Sequence, residues 1–369
     1  MAPAPFQWHA RTSVEFSPGG LARLGELAKA RGFRRPLLVA DRGMAAAGFT
    51  ARAVASLEKS GIGAVHFDGF AENPDSAMIE AGRAFAAPFR PDSVIALGGG
   101  SSLDCAKGIN FVLTNGGRIG DYHGYGKAVL PMLPMIGIPT TTGTGSEAQS
   151  YALVSDAETH VKMACGAPGA AFGLVILDPE LAMTQPRAVL ATSGYDAISH
   201  AVETRVTTKR NFASRCFSRE AWSLLAGSFE AALAGRGGID AAAAMQMGAY
   251  LAGAAIECSM LGATHATANP LTARYGATHG AAIAVMLAHV VRWNRAAEPR
   301  LYADWTEDLA ARLDELAQAA SLPRTLRDLG VARDALPSLA EDASKQWTGR
   351  FNPRPFTAEA ALEIYQCAY

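Results

Sequence analysis

The segment SGYDAISHAVET, Ser193 to Thr204, sets a carboxylate, Asp196, and an imidazole, His200, four residues apart in what reads as a helix start. Positions four apart on a helix share a face. Two chemistries fit: a surface ion pair, or two ligands of one metal ion. Further on, GATHATANPLTARYGATHGAAIA places His265 and His279 fourteen residues apart, each after a small, Gly-containing approach. One Asp and three His make a donor set that suits Fe2+ or Zn2+ better than Mg2+ or Ca2+. Four protein ligands leave room for a substrate oxygen only if coordination rises to five. A lone histidine in a helical segment is usually a core or surface residue, and spacing alone leaves that reading open. His289 follows His279 by ten residues and suits a buried or capping role, while His9, His66 and His160 sit in poor contexts for ligation.

Two turns in the first half could receive a nucleotide. In VIALGGGSSLDCAK, Gly98, Gly99 and Gly100 end a strand, and Ser101, Ser102 and Asp104 open a helix. Glycines let backbone approach a phosphate, and a helix start offers free N–H groups to an anion. The spacing is not GxGxxG. A tight strand–helix turn with Ser101 or Ser102 as N-cap is the plainer reading. The second turn, PTTTGTGSE, carries Thr140, Thr141, Thr142, Thr144 and Ser146 directly after another buried strand. Hydroxyls there suit ribose and pyrophosphate oxygens, because open α/β sheets bind ligands at the carboxyl ends of their strands. The alternative is a loop that satisfies its own backbone. Asp41 ends an earlier strand. An acid near that position bonds ribose hydroxyls and repels a 2′-phosphate, favouring NAD(H) over NADP(H), unless it only opens the next turn.

The elements that must position these residues fall into two kinds. RPLLVAD, GAVHFDGF, DSVIALGGG and PMIGIPT read as strands, alternating with helical stretches at 50–60, SAMIEAGRAFAAP and SSLDCAKGINFVLTN. That alternation predicts a parallel sheet covered on both faces. Beyond LVILDPELAMTQP the pattern turns Ala- and Leu-rich with helical periodicity, as in REAWSLLAGSFEAALAG, AAAAMQMGAYLAGAAIECSM and ATHGAAIAVMLAHVVRWN. The expected architecture is an α/β dinucleotide-binding domain over residues 1–185 and an all-helical metal- and substrate-binding domain over 186–369. DLAARLDELAQAASLP reads as an amphipathic helix with a solvated charged face.

With 369 residues the chain exceeds one ordinary core and suits two domains. Apolar residues make up 49% and charged residues 18%, which excludes a disordered chain. A net charge of −1 gives no reason to expect nucleic acid or a membrane surface as partner. Cys105, Cys165, Cys216, Cys258 and Cys367 show no framework spacing and read as free thiols in a reducing compartment. MAPAPFQWHARTSVEF lacks a basic start followed by an apolar core, so no signal peptide is expected. No uninterrupted apolar run reads as long enough to cross a bilayer. The expectation is a cytoplasmic protein.

Taken together, GGGSSLDCAK, IPTTTGTGSE, LDPELAMTQP, GYDAISHAVE and NPRPFT resemble, in order and spacing, the iron-dependent (group III) alcohol dehydrogenases, relatives of glycerol dehydrogenase and dehydroquinate synthase. The resemblance covers nearly the whole chain. It implies that Asp196, His200, His265 and His279 are metal ligands. It implies that Gly98, Gly99, Gly100, Ser101 and Ser102 form the pyrophosphate turn, and that Thr140, Thr141 and Thr144 form a second nucleotide turn. Lys162, in THVKMACG, matches a lysine near the cofactor ribose, and Asp41 the position that selects against NADP. It also implies a site in a cleft between the domains, and a homodimer or larger homo-oligomer.

The chain departs from that pattern in places. HATANPLT has Asn269 where many members carry a second histidine, and Asn269 cannot exchange protons near neutral pH. THG, with Thr278, stands for PHG, and ECSMLG brings in Glu257. Arg274 and Tyr275 lie where the family places pocket-facing residues; Arg274 could grip an anionic substrate group or be a surface side chain. The expected activity is a metal-dependent, NAD(H)-linked alcohol dehydrogenase or aldehyde reductase with Fe2+ or Zn2+, acting on a small alcohol or aldehyde. The alternatives are a hydroxyacid–oxoacid transhydrogenase or hydroxy-acid dehydrogenase on the same scaffold, and a non-redox NAD-using lyase.

Overall fold

The computed structural model describes residues 5–303, 305 and 308–369. They form two compact units: His9–Thr141 with Gly145–Gln185, and the described residues through Trp8 with Thr142–Thr144 and Pro186–Tyr369.

The first unit is α/β. Its six-stranded sheet contains β1 (Ser13–Phe16), β2 (Pro36–Val39), β3 (Val65–Phe67), β4 (Ser93–Gly98), β6 (Met135–Pro139) and β9 (Leu174–Leu177), in the order β1-β9-β6-β4-β2-β3. Every pairing in this sheet is parallel. PLLV, SVIALG, MIGIP and LVIL are wholly buried, as continuous apolar strands covered on both faces must be. The covering helices are α1 (Leu24–Ala30), α2 (Arg42–Ala46), α3 (Phe49–Lys59), α4 (Ser76–Ala86), α5 (Gly100–Asn115) and α6 (Pro179–Ala182). A smaller sheet joins β5 (Gly124–Tyr125), β8 (Lys162–Gly166) and β7 (Tyr151–Ser155), the last two antiparallel.

Topology places the turns. From β2 the chain moves outward to β3, then returns to β4 on the other side of β2. The carboxyl ends of β2 and β4 therefore flank the point where strand order reverses, the usual ligand position in such sheets. Register pairs Gly98 of β4 with Pro139 of β6, and Thr140 N–H donates to the Gly98 carbonyl at 3.0 Å. The glycine turn and the threonine turn thus leave the sheet side by side.

The second unit is helical: α7 (Arg187–Val206), α8 (Phe212–Leu233), α9 (Gly238–Cys258), α10 (Ala263–Tyr275), α11 (His279–Ala297), α12 (Leu309–Ala319), α13 (Leu336–Ser344) and α14 (Ala358–Cys367). One apolar core runs through it, from Leu190 and Tyr195 through Phe229, Met245, Val285 and Leu313 to Tyr365. Helix α7 is buried continuously from Gly194 to Val206 and so stands inside the bundle. Helix α9 carries Asp240, Gln246 and Glu257 and is not an uninterrupted apolar run. By length and composition it is apolar enough to span a bilayer, but its Ala241, Met245, Ala249, Ala252 and Ile256 are buried in the protein interior. It is a core helix.

Candidate metal centre and nucleotide turns

Helix α7 brings two of the candidate ligands and one further acid to a single stripe. Asp196, His200 and Glu203 stand at i, i+4 and i+7, all buried. His265 lies in the first turn of α10, and His279 is the first residue of α11. A close approach seats His279. A Cβ on Gly280 would lie 2.1 Å from the Thr192 carbonyl oxygen, so only glycine there lets the start of α11 rest on α7.

The four side chains meet around Asp196 Oδ1. His200 Nε2 lies 3.3 Å from it, and His265 Nε2 and His279 Nε2 each lie 3.6 Å away. Asp196, His265 and His279 offer ligand atoms within 4.8 Å of one another. The rings of His200 and His265 stack with centroids 5.0 Å apart. Among the described residues, Asp196 Oδ1 and His265 Nε2 are buried without a hydrogen-bond partner. Buried polar atoms are normally paired. A carboxylate oxygen and an imidazole nitrogen left facing each other fit a divalent cation, and the donor set is that of Fe2+ or Zn2+.

The electrostatics agree. Burial opposes ionisation of Asp196, yet His200, His279 and His265 hold its carboxyl below the usual carboxylate range. Burial lowers His200 to about 4, although Asp196 pulls it the other way. Burial also disfavours charged His265, but Glu203 and Asp196 outweigh it and raise the imidazole to about 9. Of these two buried imidazoles, the one between both carboxylates is the one that favours its charged form.

Glu203 is a residue the sequence reading misses. Its Oε2 lies 2.6 Å from His265 Nδ1, and its Oε1 accepts from Thr264 N–H at 2.7 Å. Carboxylates in this role orient metal-binding histidines. The available signal is its place seven residues after Asp196 on the same helix face.

At the glycine turn, Gly98 has φ +144°, and a Cβ there would lie 2.3 Å from Ser102 Oγ. Helix α5 starts at Gly100 with Gly99 at its N-cap and no side-chain cap. Neither Ser101 nor Ser102 caps it. Ser102 is buried and donates to Asp41 Oδ2 at 3.0 Å, while Ser101 Oγ accepts from Asn73 N–H at 3.1 Å. The uncapped backbone N–H groups, rather than the serine hydroxyls, are what this turn offers an anion. Asp41 itself caps α2, its Oδ1 accepting from Met44 N–H at 3.1 Å.

In the second turn, Thr140 is buried with its hydroxyl toward Met44 Sδ, and Thr141 packs against Gly99. Thr144 is exposed and belongs, with Thr142 and Gly143, to the helical unit, where Gly143 rests on Ser193. Lys162 is exposed and pairs in register with Ser155. Lys107 is fully buried; its Nζ donates to the carbonyls of Ser146 at 2.6 Å, Gln149 at 2.7 Å and Tyr151 at 2.8 Å. Asp104 accepts from Ser146 Oγ at 2.7 Å. Helix α5 thereby fastens the segment after the threonine turn from behind.

The two pocket candidates have their own partners. Asn269, one turn after His265, donates through Nδ2 to Gln346 Oε1 at 3.0 Å. Arg274 binds Ser338 Oγ at 2.9 Å and pairs with Asp342, joining α10 to α13 at the surface. Arg274 is exposed.

Comparison with known proteins agrees with this geometry. Residues 11–179 match the family described as iron-containing alcohol dehydrogenase, and residues 190–369 match the Fe-containing alcohol dehydrogenase family, C-terminal. The 1,3-propanediol dehydrogenase of Citrobacter freundii is 32% identical over 372 residues, covering 96% of each chain. The lactaldehyde reductase of Escherichia coli K12 is 29% identical, covering 96% of this chain and 97% of its own. A crystal structure of 1,3-propanediol oxidoreductase superposes with TM-score 0.94 at 30% identity, covering 99% of this chain and all of the other. These matches, which cover both halves, show that the chain belongs to the iron-containing alcohol dehydrogenase family.

Proposed function

We propose that the protein interconverts a small primary alcohol and its aldehyde, using NAD(H) and one divalent cation held by Asp196, His200, His265 and His279. Fe2+ is the expected ion, and Zn2+ suits the same donors. The observation that carries the reading is the pair of buried, unpartnered atoms, Asp196 Oδ1 and His265 Nε2, facing each other 3.6 Å apart. When bound, the cation supplies Lewis acidity toward the substrate oxygen and the nicotinamide carries the hydride.

The chain's own residues bind and orient. The uncapped start of α5 behind Gly98, Gly99 and Gly100 receives the pyrophosphate. Thr140, Thr141 and Thr144 border the nucleotide, and Lys162, exposed on β8, reaches its ribose. Asp41 sits at the ribose position and favours NAD(H) over NADP(H) by charge. Asn269 does not take the alcohol proton near neutral pH, so the proton leaves through water or a ribose hydroxyl. The names of the relatives support a short alcohol or aldehyde, and the tether of Arg274 to Asp342 supports a neutral one.

We also infer a homodimer or larger assembly in the cytoplasm. Among the described residues, edge strand β1 pairs only with β9, and it exposes Val14 and Phe16, an edge suited to covering by another chain. The free thiols Cys105, Cys165, Cys216, Cys258 and Cys367 suit a reducing compartment. The test of the activity is NADH consumption with short neutral aldehydes by Fe2+-loaded, Zn2+-loaded and metal-stripped protein. Turnover indifferent to metal would refute the reading.

A further inference from the structure

Helix α10 has no N-terminal cap of its own. Gly262 stands at its N-cap without a side chain, and two other elements satisfy the first N–H groups. Asn352 Oδ1 accepts from Ala263 N–H at 3.3 Å, and Glu203 Oε1 accepts from Thr264 N–H at 2.7 Å. The second oxygen of Glu203 meets His265 Nδ1 at 2.6 Å. Asn352 opens the NPRPFT segment and is held in turn: its Nδ2 donates to Asn294 Oδ1 and to the Arg354 carbonyl, both at 2.8 Å. Glu203, His265, Asn352 and Asn294 are all at most 5% exposed. An ideal Cβ on Gly262 would lie 3.1 Å from both Asn352 Oδ1 and Glu203 Oε1, so glycine leaves the space that the two caps fill.

We propose that Glu203 and Asn352 are positioning residues of the metal centre. Together they cap the turn of α10 that carries His265, and Glu203 holds the Nδ1 edge of its ring, which turns Nε2 toward Asp196 Oδ1 as the atom that would give its lone pair to a cation. The inference rests on the metal-site reading above. Valence explains the residue type. Thr264 N–H and the Nδ1–H of His265 are both donors, and an ionised carboxylate offers two acceptors and nothing else. A glutamine offers one acceptor and one NH2 group, so it would set donor against donor at one end. The NPRPFT segment, far along the chain from every ligand, acquires a role through the Ala263 N–H.

The test uses the full chain, stripped of metal, as wild type, Glu203→Gln, Gly262→Ala and His265→Ala. Zn2+ affinity is measured by competition with a chromophoric chelator, and Co2+ binding by visible absorption, which reports coordination geometry. Circular dichroism checks the fold. Wild type should bind one equivalent and His265→Ala should lose it. Glu203→Gln should weaken Zn2+ binding about 10- to 100-fold, the range for partners behind a metal-bound histidine, and alter the Co2+ spectrum. Gly262→Ala introduces no polar mismatch and should act in the same direction with the fold intact, which covers the case of an unfolded Glu203→Gln. Zn2+ affinity within about twofold of wild type in the folded variants, with His265→Ala still deficient, would overturn the inference and leave the metal site standing. A wild type that binds no cation, or a His265→Ala that binds like wild type, would overturn both.

Discussion

Asp196 Oδ1 and His265 Nε2 face each other across 3.6 Å, and neither has a hydrogen-bond partner among the described residues. They come from different helices, α7 and α10, and the bundle core buries both. Unpaired polar atoms in such a place cost stability. A cation bound to both would offset that cost. Asp196→Ala and His265→Ala should therefore abolish stoichiometric metal and reduce turnover by at least about 100-fold, while far-UV circular dichroism stays native. Elemental analysis beside activity checks this, and full metal occupancy in either variant would count against the site.

Gly98→Ala should weaken NADH binding and destabilise the α/β unit. The backbone there has φ +144°, and the new Cβ would lie 2.3 Å from Ser102 Oγ. A side chain in that conformation costs about 1–3 kcal/mol before any clash. Thermal unfolding and NADH fluorescence titration measure the two effects. A variant matching wild type in both would show that the turn neither needs glycine nor receives the pyrophosphate.

How much of this was legible in the sequence follows from what kind of signal each part leaves. Strands β2, β4 and β6 announce themselves because burial on both faces demands unbroken apolar runs. The hairpin of β7 and β8 is half exposed, and two-residue β5 has no pattern at all, so the small sheet leaves no signature. The candidate ligands are readable because Asp and His in an apolar setting are conspicuous. Glu203 is not, since an acid near the end of a helix usually lies in water; its role exists only once α10 packs beside α7. The lack of a side-chain cap on α5 is equally hidden, because Ser102 turns back to Asp41, a contact across 61 residues.

Asp41→Asn should relax the preference for NADH. Asparagine keeps one acceptor oxygen to cap α2, and its NH2 can donate to the Ser102 hydroxyl, which then accepts where it had donated, but it carries no charge to repel a 2′-phosphate. The ratio of kcat/KM for NADPH over NADH should rise by about tenfold or more, worth about 1.4 kcal/mol. An unchanged ratio would remove Asp41 from cofactor selection.

Glu147 predicts a pH effect on stability. Burial raises its carboxyl from 4.5 to about 7, against the pull of its own backbone N–H and of Lys107. The folded state then holds a proton that the unfolded state has released. Its stabilising contribution is fully present below 4.5 and lost as pH rises through about 7. Glu147→Gln should be insensitive over that window, so its stability relative to wild type should grow between pH 5 and pH 8 by on the order of 3 kcal/mol at most. Denaturant unfolding at the two pH values tests this; parallel behaviour of the two proteins would contradict it.

Arg274→Ala should leave catalysis unchanged. Its guanidinium pairs with Asp342 at a surface where both side chains are more than a third exposed, 40% and 35%. Loss of such a pair costs about 0–1 kcal/mol. A selective loss of activity toward carboxylated or phosphonated aldehydes would place Arg274 in the substrate site instead.

The most direct test of the central claim is NADH oxidation by anaerobically purified protein with a short neutral aldehyde, before and after metal removal, and after Fe2+ is restored. The account predicts turnover with Fe2+, loss on chelation and recovery on reloading, with NADH preferred over NADPH. Turnover that survives verified removal of the metal would contradict it.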